Sequence, residues 1–267
     1  MLRTAALSGL LLLSIGPSDR LAAQSSEDWL RRCRDSGGEG SNHCEVRQYT
    51  LPGSGGILRI DAGPNGGVKV QAWDRNEVKV EARVQARGTS ESDAKALAGE
   101  VTVNASGRSV SSDGPRSTGR GRHWSVSYVV WAPTASDLDL ESTNGGIAVE
   151  GITGDVTAAT TNGGIDLSGA LGRVEAETTN GGITLNLTRG GSTGSISAET
   201  TNGGIDLIIP EGRSAELDAE TTNGGISVDF PVQVQGRIGR RLRTTIGEGG
   251  PMIRLETTNG GIEVKRR

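Results

Sequence analysis

Few residues in this chain are equipped for covalent or metal chemistry. Cys33 and Cys44 enclose ten residues, RDSGGEGSNH, in a polar, glycine-rich stretch. That spacing suits one disulfide closing a short loop, worth about 3 kcal/mol of chain entropy in an oxidising compartment. His43 beside Cys44 invites a metal reading, but a tetrahedral site needs about four ligands. The other histidine, His123, is eighty residues away, so a structural staple is expected and no cofactor. Arg116, Arg120 and Arg122 share a glycine-rich loop between Asp113 and His123, read as a solvated tip or a small polyanion contact.

Carboxylates recur along the chain instead of clustering. Glu141, Glu177, Glu199, Glu220 and Glu256 each stand three residues before an asparagine. Glu177, Glu199 and Glu220 are candidates for holding a divalent cation, with Asp166, Asp206 and Glu263 adding charge beyond the next turn. β-Helix enzymes acting on acidic sugars gather their carboxylates at one place. No H-E-x-x-H or P-loop is present. No enzymatic activity is therefore expected; a polysaccharide-active β-helix enzyme and a cation-binding β-solenoid are the alternatives. Calcium-binding nonapeptide repeats need G-G-x-G-x-D. Gly163–Asp166 and Gly203–Asp206 have the glycine pair without the third glycine. An outward column of Thr143, Thr161, Thr179, Thr201, Thr222 and Thr258 suits ice binding only in part, because the neighbouring column is glutamate.

Such side chains need a scaffold, and the scaffold is repetitive. The chain has 267 residues, 42 of them glycine, with 3% aromatic residues and 33% hydrophobic ones. These values argue against a membrane bundle, and the absence of a strict three-residue glycine period argues against collagen. A net charge of −4 lacks the basic excess of nucleic-acid binders. The hexapeptide Thr-Thr-Asn-Gly-Gly-Ile recurs at 160–165, 178–183, 200–205, 221–226 and 257–262, with a near copy at Ser142 to Ile147. Its asparagines are Asn144, Asn162, Asn180, Asn202, Asn223 and Asn259, spaced 18, 18, 22, 21 and 36 apart. Thr244-Thr245-Ile246-Gly247-Glu248-Gly249-Gly250 reads as a decayed copy within the last gap, and Asn65-Gly66-Gly67-Val68 as an outlying one.

Around each asparagine the residues alternate with period two, as half-buried strands do. Apolar or small residues stand six, four and two before it, for example Val174, Ala176 and Thr178. An isoleucine and then Leu or Val follow the glycines. An antiparallel meander could use Asn-Gly as a type I′ turn. A solenoid would stack successive units in register about 4.8 Å apart, where identity between units is rewarded. The solenoid is preferred. Positive φ at the glycines and inward-stacked asparagine amides are the expected reasons for the motif.

The expected fold is all-β: a single-chain parallel β-solenoid of about 18–22-residue coils, with a less regular N-terminal β half. Its divisions are an export signal at 1–23, a polar leader with the disulfide at 24–52, an irregular β part at 53–137 and the regular repeat at 138–267. The signal rests on Arg3, the apolar run Ala5 to Ile15, Pro17 and the small residue Ala23 before Gln24. The run is too short to span a bilayer, and the mature chain would carry a net charge of −5. In the irregular part, Ile57–Ala62, Val68–Trp73, Val78–Ala86, Val101–Ala105 and Trp124–Trp131 read as strands. Ser90 to Leu97 reads as a short helix capped by Ser90.

Several of these features together resemble a bacterial putative-adhesin domain family of unknown function. They are Gly66-Gly67-Val68-Lys69-Val70 with Trp73-Asp74 and Val78-Lys79-Val80, Val129–Pro133 leading into Leu138–Asn144, the serial Asn-Gly-Gly-Ile units, and Ile246–Gly250 before the last of them. The resemblance covers roughly residues 53–267. It implies a β-solenoid-like fold and an exported or surface location, and it brings no catalytic residues. The expected function is a non-enzymatic structural or adhesive module, periplasmic, cell-surface or secreted. Its ligand is an unknown surface, polymer or protein; neither nucleic acid nor a membrane span in the mature chain is expected.

Overall fold

A computed structural model describes residues 17–36, 41–116, 119, 121–169, 172–188, 194–232 and 239–267. The apolar run Ala5 to Ile15 and Arg120 lie outside the described residues. The N-terminal part runs α1 (Pro17–Asp35), β1 (Ser41–Pro52), β2 (Leu58–Asp61), β3 (Val68–Trp73), β4 (Glu77–Gly88), α2 (Glu91–Glu100), β5 (Thr102–Ser106), β6 (Ser109–Asp113) and β7 (His123–Pro133). The repeat follows as β8 (Leu138–Ser142), β9 (Ile147–Glu150), β10 (Val156–Asn162), β11 (Ile165–Gly169), β12 (Val174–Asn180), β13 (Ile183–Leu187), β14 (Ile196–Asn202) and β15 (Ile205–Ile209). It ends with β16 (Ala215–Asn223), β17 (Ile226–Val228), β18 (Arg241–Ile246), β19 (Met252–Asn259) and β20 (Ile262–Arg266).

The protein is all-β and solenoid-like. Each repeat sends its first strand to one sheet and its second to the other, crossing at Asn-Gly-Gly. The first sheet has the order β1-β4-β7-β3-β9-β11-β13-β15-β20-β17, the second β18-β16-β19-β14-β12-β10-β8-β2-β6-β5. Repeat strands pair in parallel with matched positions opposite each other: Val156 faces Val174, which faces Ile196, and Ile165 faces Ile183, which faces Ile205. Period-two alternation then buries one face of the repeat strands β8 to β16. Val174, Ala176 and Thr178 of β12 point inward while Glu175 and Glu177 point out. Small Ala158, Ala176, Ala198 and Ala219, all nearly fully buried, let the two sheets approach over a core of Ile, Leu and Val.

Four readings need correction. Thr244 to Gly250 is not a decayed rung: β18 pairs antiparallel along the outside of β16. Leu242, Thr244 and Ile246 supply a buried face, but no Asn-Gly-Gly follows to carry the chain across. It turns instead through Gly247 and Gly249, at φ 59° and 80°. The last repeat therefore does not sit last. β19 inserts between β14 and β16, and β20 between β15 and β17, so Asn259 lies between Asn202 and Asn223. The asparagines are exposed, not inward. None of the Asn-Gly-Gly glycines adopts the left-handed φ expected of them. The first glycine is instead demanded by close approach, since a Cβ at Gly181 would lie 1.9 Å from the carbonyl oxygen of Gly163.

The irregular half extends the same stack. β2 pairs with β8 and β3 with β9, so Asn65-Gly66-Gly67-Val68 does form a rung. Ser90 caps α2 by accepting from the Asp93 N–H, at 3.2 Å. The polar leader is structured: β1 runs antiparallel to β4 over twelve residues, and α1 is bonded to it by the disulfide.

Candidate functional site

Three ladders run along the stack where the chain crosses between sheets. The inward Thr at each first strand donates its hydroxyl to the first-glycine carbonyl of the neighbouring rung: Thr160 to Gly145 at 2.9 Å, Thr178 to Gly163 at 2.9 Å and Thr200 to Gly181 at 2.8 Å. Thr257 bonds Gly203, Thr221 bonds Gly260 and Ser142 bonds Gly66 in the same way. Outside it, the asparagine amides form a head-to-tail chain. Asn144 donates to Asn65, Asn162 to Asn144, Asn180 to Asn162, Asn202 to Asn180, Asn259 to Asn202 and Asn223 to Asn259, at 2.7–3.3 Å. Beside the amides stands the exposed threonine column containing Thr161, Thr179 and Thr201.

The acidic strip is longer than its candidate residues. On the second sheet Glu177 faces Glu199, which faces Glu256, which faces Glu220. Glu256 thus separates two residues expected to be adjacent. Arg254 pairs with Glu256 at 2.8 Å and Arg241 with Glu220 at 3.2 Å, which relieves like-charge repulsion at that end. Asp166, Asp206 and Glu263 lie on the first sheet, whose outer face points away from this strip, so the structure does not bring the two sets together. Among the described residues no group of three or more His, Cys, Asp or Glu side chains is placed to hold a metal ion.

At the end of the repeat, Asp218 accepts from Arg241 and Arg243 of β18 at 3.0–3.2 Å. Burial pushes the Asp218 carboxyl up, and these hydrogen bonds and charges outweigh it, leaving its pKa below the usual aspartate value.

Cys33 and Cys44 are bonded, their Cα atoms 6.3 Å apart, which fastens α1 to β1. His43 reaches Glu45 at 3.3 Å. Arg122 pairs with Asp93 at 3.1 Å, while Arg116 and His123 border a depression of about 340 Å³.

A larger feature went unforeseen. α1 lies against the outer face of the first sheet, where Ser26 bonds the fully buried carboxylate of Glu81 on β4. Gln48 of β1 donates to the same carboxylate at 3.2 Å. Beside this contact the helix and sheet enclose an open groove of about 770 Å³, crossing β7, β3, β9, β11 and β13. Trp29 forms one wall, with the Arg83 guanidinium 5.7 Å from its ring centre. Lys69, Asp166 and Thr184 project from the floor between Gly146, Gly164 and Gly182. Burial pushes the Arg83 pKa down; Glu81 opposes this and the charge of nearby Arg32 adds to it. The available signal was the helical i, i+4 spacing of Trp29 and Cys33 behind Ser25-Ser26-Glu27-Asp28.

In-register parallel strands in two sheets, joined at every crossing by threonine and asparagine ladders, define a solenoid-like ladder protein. A family model described as Toastrack DUF4097 matches residues 65–265, and the chain belongs to that family. A crystal structure of a putative cell adhesion protein from Clostridium sporogenes has the same fold, with a TM-score of 0.51 at 9% identity over 84% of this chain and 100% of that one. A putative adhesin from Bacteroides fragilis aligns with a TM-score of 0.44 at 13% identity, over 84% and 97% of the two chains. No curated protein matches the sequence. No helix among the described residues is long and apolar enough to cross a membrane.

Proposed function

We propose that this protein is exported and works as a non-enzymatic adhesive or structural module, presenting repeated side-chain columns to a surface, polymer or protein. The observation that carries the reading is the register of the stack. Identical exposed threonines and asparagines recur on successive rungs about 4.8 Å apart. Contacts that are individually weak gain strength when a partner meets several at once. Export is supported by the apolar run ahead of Leu21-Ala22-Ala23 and by the Cys33–Cys44 bond. Adhesion is supported by the name given to the Clostridium sporogenes structure.

The test is a glycan-array and pull-down screen on the purified, disulfide-bonded protein, with N-terminal sequencing of the form recovered outside the bacterial cytoplasm. Saturable binding and an N-terminus at Gln24 are expected. Turnover of any bound polymer would overturn the non-enzymatic reading, and an intact Met1 with both thiols free would overturn export.

A further inference from the structure

We propose that the groove between α1 and the first sheet takes a short acidic oligosaccharide, with a sugar face against Trp29 and a carboxylate at Lys69 and Arg83. This deepens the adhesive reading and rests on it. The groove's size falls within the range of small-ligand sites. It crosses five neighbouring strands, four steps of ~4.8 Å, so an extended chain of a few sugars fits along it.

The floor decides against a peptide added as an extra strand. β3, β9, β11 and β13 are each hydrogen-bonded to neighbours on both sides, so they offer no free backbone edge. A ligand here must bring an apolar face for the indole and its own polar groups for Lys69, Asp166 and Thr184. A sugar has both. Thr184 and Asp166 stand at the end remote from α1, where Asp166 accepts from hydroxyls but repels a carboxylate. Lys69 and Arg83, with Arg32 close by, outnumber the buried Glu81 carboxylate and leave the α1 end cationic. That polarity orients the ligand, its acidic group toward α1.

The floor is deepest where Gly146, Gly164 and Gly182 leave gaps between the projecting side chains. At Gly164 a Cβ would find only Gly182 O, 3.5 Å away, so the fold itself accepts a larger residue there. Gly225 occupies the same place in an outer rung, beyond the groove, with nothing within 4 Å of a Cβ. The two glycines form a matched pair for testing.

The experiment is calorimetric titration of the disulfide-bonded protein at low salt with a galacturonic acid tetrasaccharide and with the neutral galactose tetrasaccharide. The acidic probe should bind at least tenfold tighter than the neutral one and weaken as salt rises. Lys69→Gln and Trp29→Ala should each weaken it about tenfold. Gly164→Val should remove binding, while Gly225→Val retains it, both with wild-type melting temperatures. Equal affinity for the two probes would overturn the charge assignment. Binding indifferent to Trp29→Ala and Gly164→Val would overturn the location. Failure to bind either probe, in a protein still retained by a polymer in the adhesion screen, would overturn the groove proposal and leave the adhesive module standing.

Discussion

Replacing Gly181 and Gly182 separately by alanine separates close approach from backbone conformation as the reason for the glycine pair. At Gly181 the new Cβ would lie 1.9 Å from Gly163 O, 2.5 Å from Gly163 C and 3.0 Å from Gly164 N. All three are backbone atoms of the adjacent rung, and none can swing away. Relief requires the two rungs to part by more than ~1 Å beyond their ~4.8 Å spacing. That opening strains the Thr178 to Gly163 bond at 2.9 Å and the Asn180 to Asn162 bond at 2.7 Å. Losing both costs about 2 kcal/mol, and overpacking adds about 1–3 kcal/mol. The expected destabilisation is therefore ~3–5 kcal/mol, a large fraction of an ordinary domain's stability. At Gly182 the new Cβ would be 3.4 Å from Gly204 O, an ordinary contact. Its effect should stay within ~1 kcal/mol, partly offset by the narrower unfolded ensemble. Urea titration followed by far-UV circular dichroism gives both midpoints. Equal midpoints, or a larger loss for Gly182→Ala, would refute the argument.

Other outcomes follow from the order of the rungs and from the ends of the stack. Asn259→Ala removes two ladder bonds and Asn223→Ala one, so the first should lower stability about twice as much, by ~2 against ~1 kcal/mol in the same urea assay; the reverse ranking would restore sequence order to the stack. Because the Asp218 pKa is lowered on folding, its contribution is complete above the unfolded carboxylate value of about 4 and is lost as pH falls through the lower folded value. Asp218→Asn should lower the melting temperature at pH 7 and flatten its fall below pH 4; a parallel acid limb would show that Arg241 and Arg243 contribute nothing through it. Paired replacement of Cys33 and Cys44 by alanine should cost up to ~3 kcal/mol, and non-reducing peptide mass spectrometry should find the wild-type pair joined.

The repeat strands were legible because period two and the recurrence of one hexapeptide specify both the buried face and the register. Val174 could pair well only with the equivalent position of another repeat, and it does, with Val156 and Ile196. Rung order was not legible, for the same reason: Thr257-Thr258-Asn259 is identical to Thr221-Thr222-Asn223 and fits either slot. What decides is the non-repeating β18, whose Arg241 and Arg243 reach Asp218 from outside β16 and leave its other edge to β19. The glycines were found but misexplained, because a residue without a side chain serves a left-handed turn and a crowded one equally well. The groove was missed because α1 shows no long apolar run. It is held by single contacts, the Ser26–Glu81 bond and the disulfide, that no periodicity announces.

This contrast bears on where recognition can reside. A stack of matched rungs offers each side chain the same surroundings as the next, so its columns can bind by repetition but cannot make one place unlike the others. A unique site needs an element outside the repeat. α1 is such an element, covering Glu81 and setting Trp29 and the neighbouring Arg83 beside Lys69 over a glycine floor. The stack then supplies rigidity and a flat floor, while the helix supplies the aromatic wall and the sheet positions beneath it supply charge. Disulfide loss should accordingly affect the two kinds of binding differently. Freeing α1 leaves the Thr and Asn columns in register while removing the Trp29 wall. Reduced protein should keep its multivalent contacts and lose affinity for the acidic tetrasaccharide.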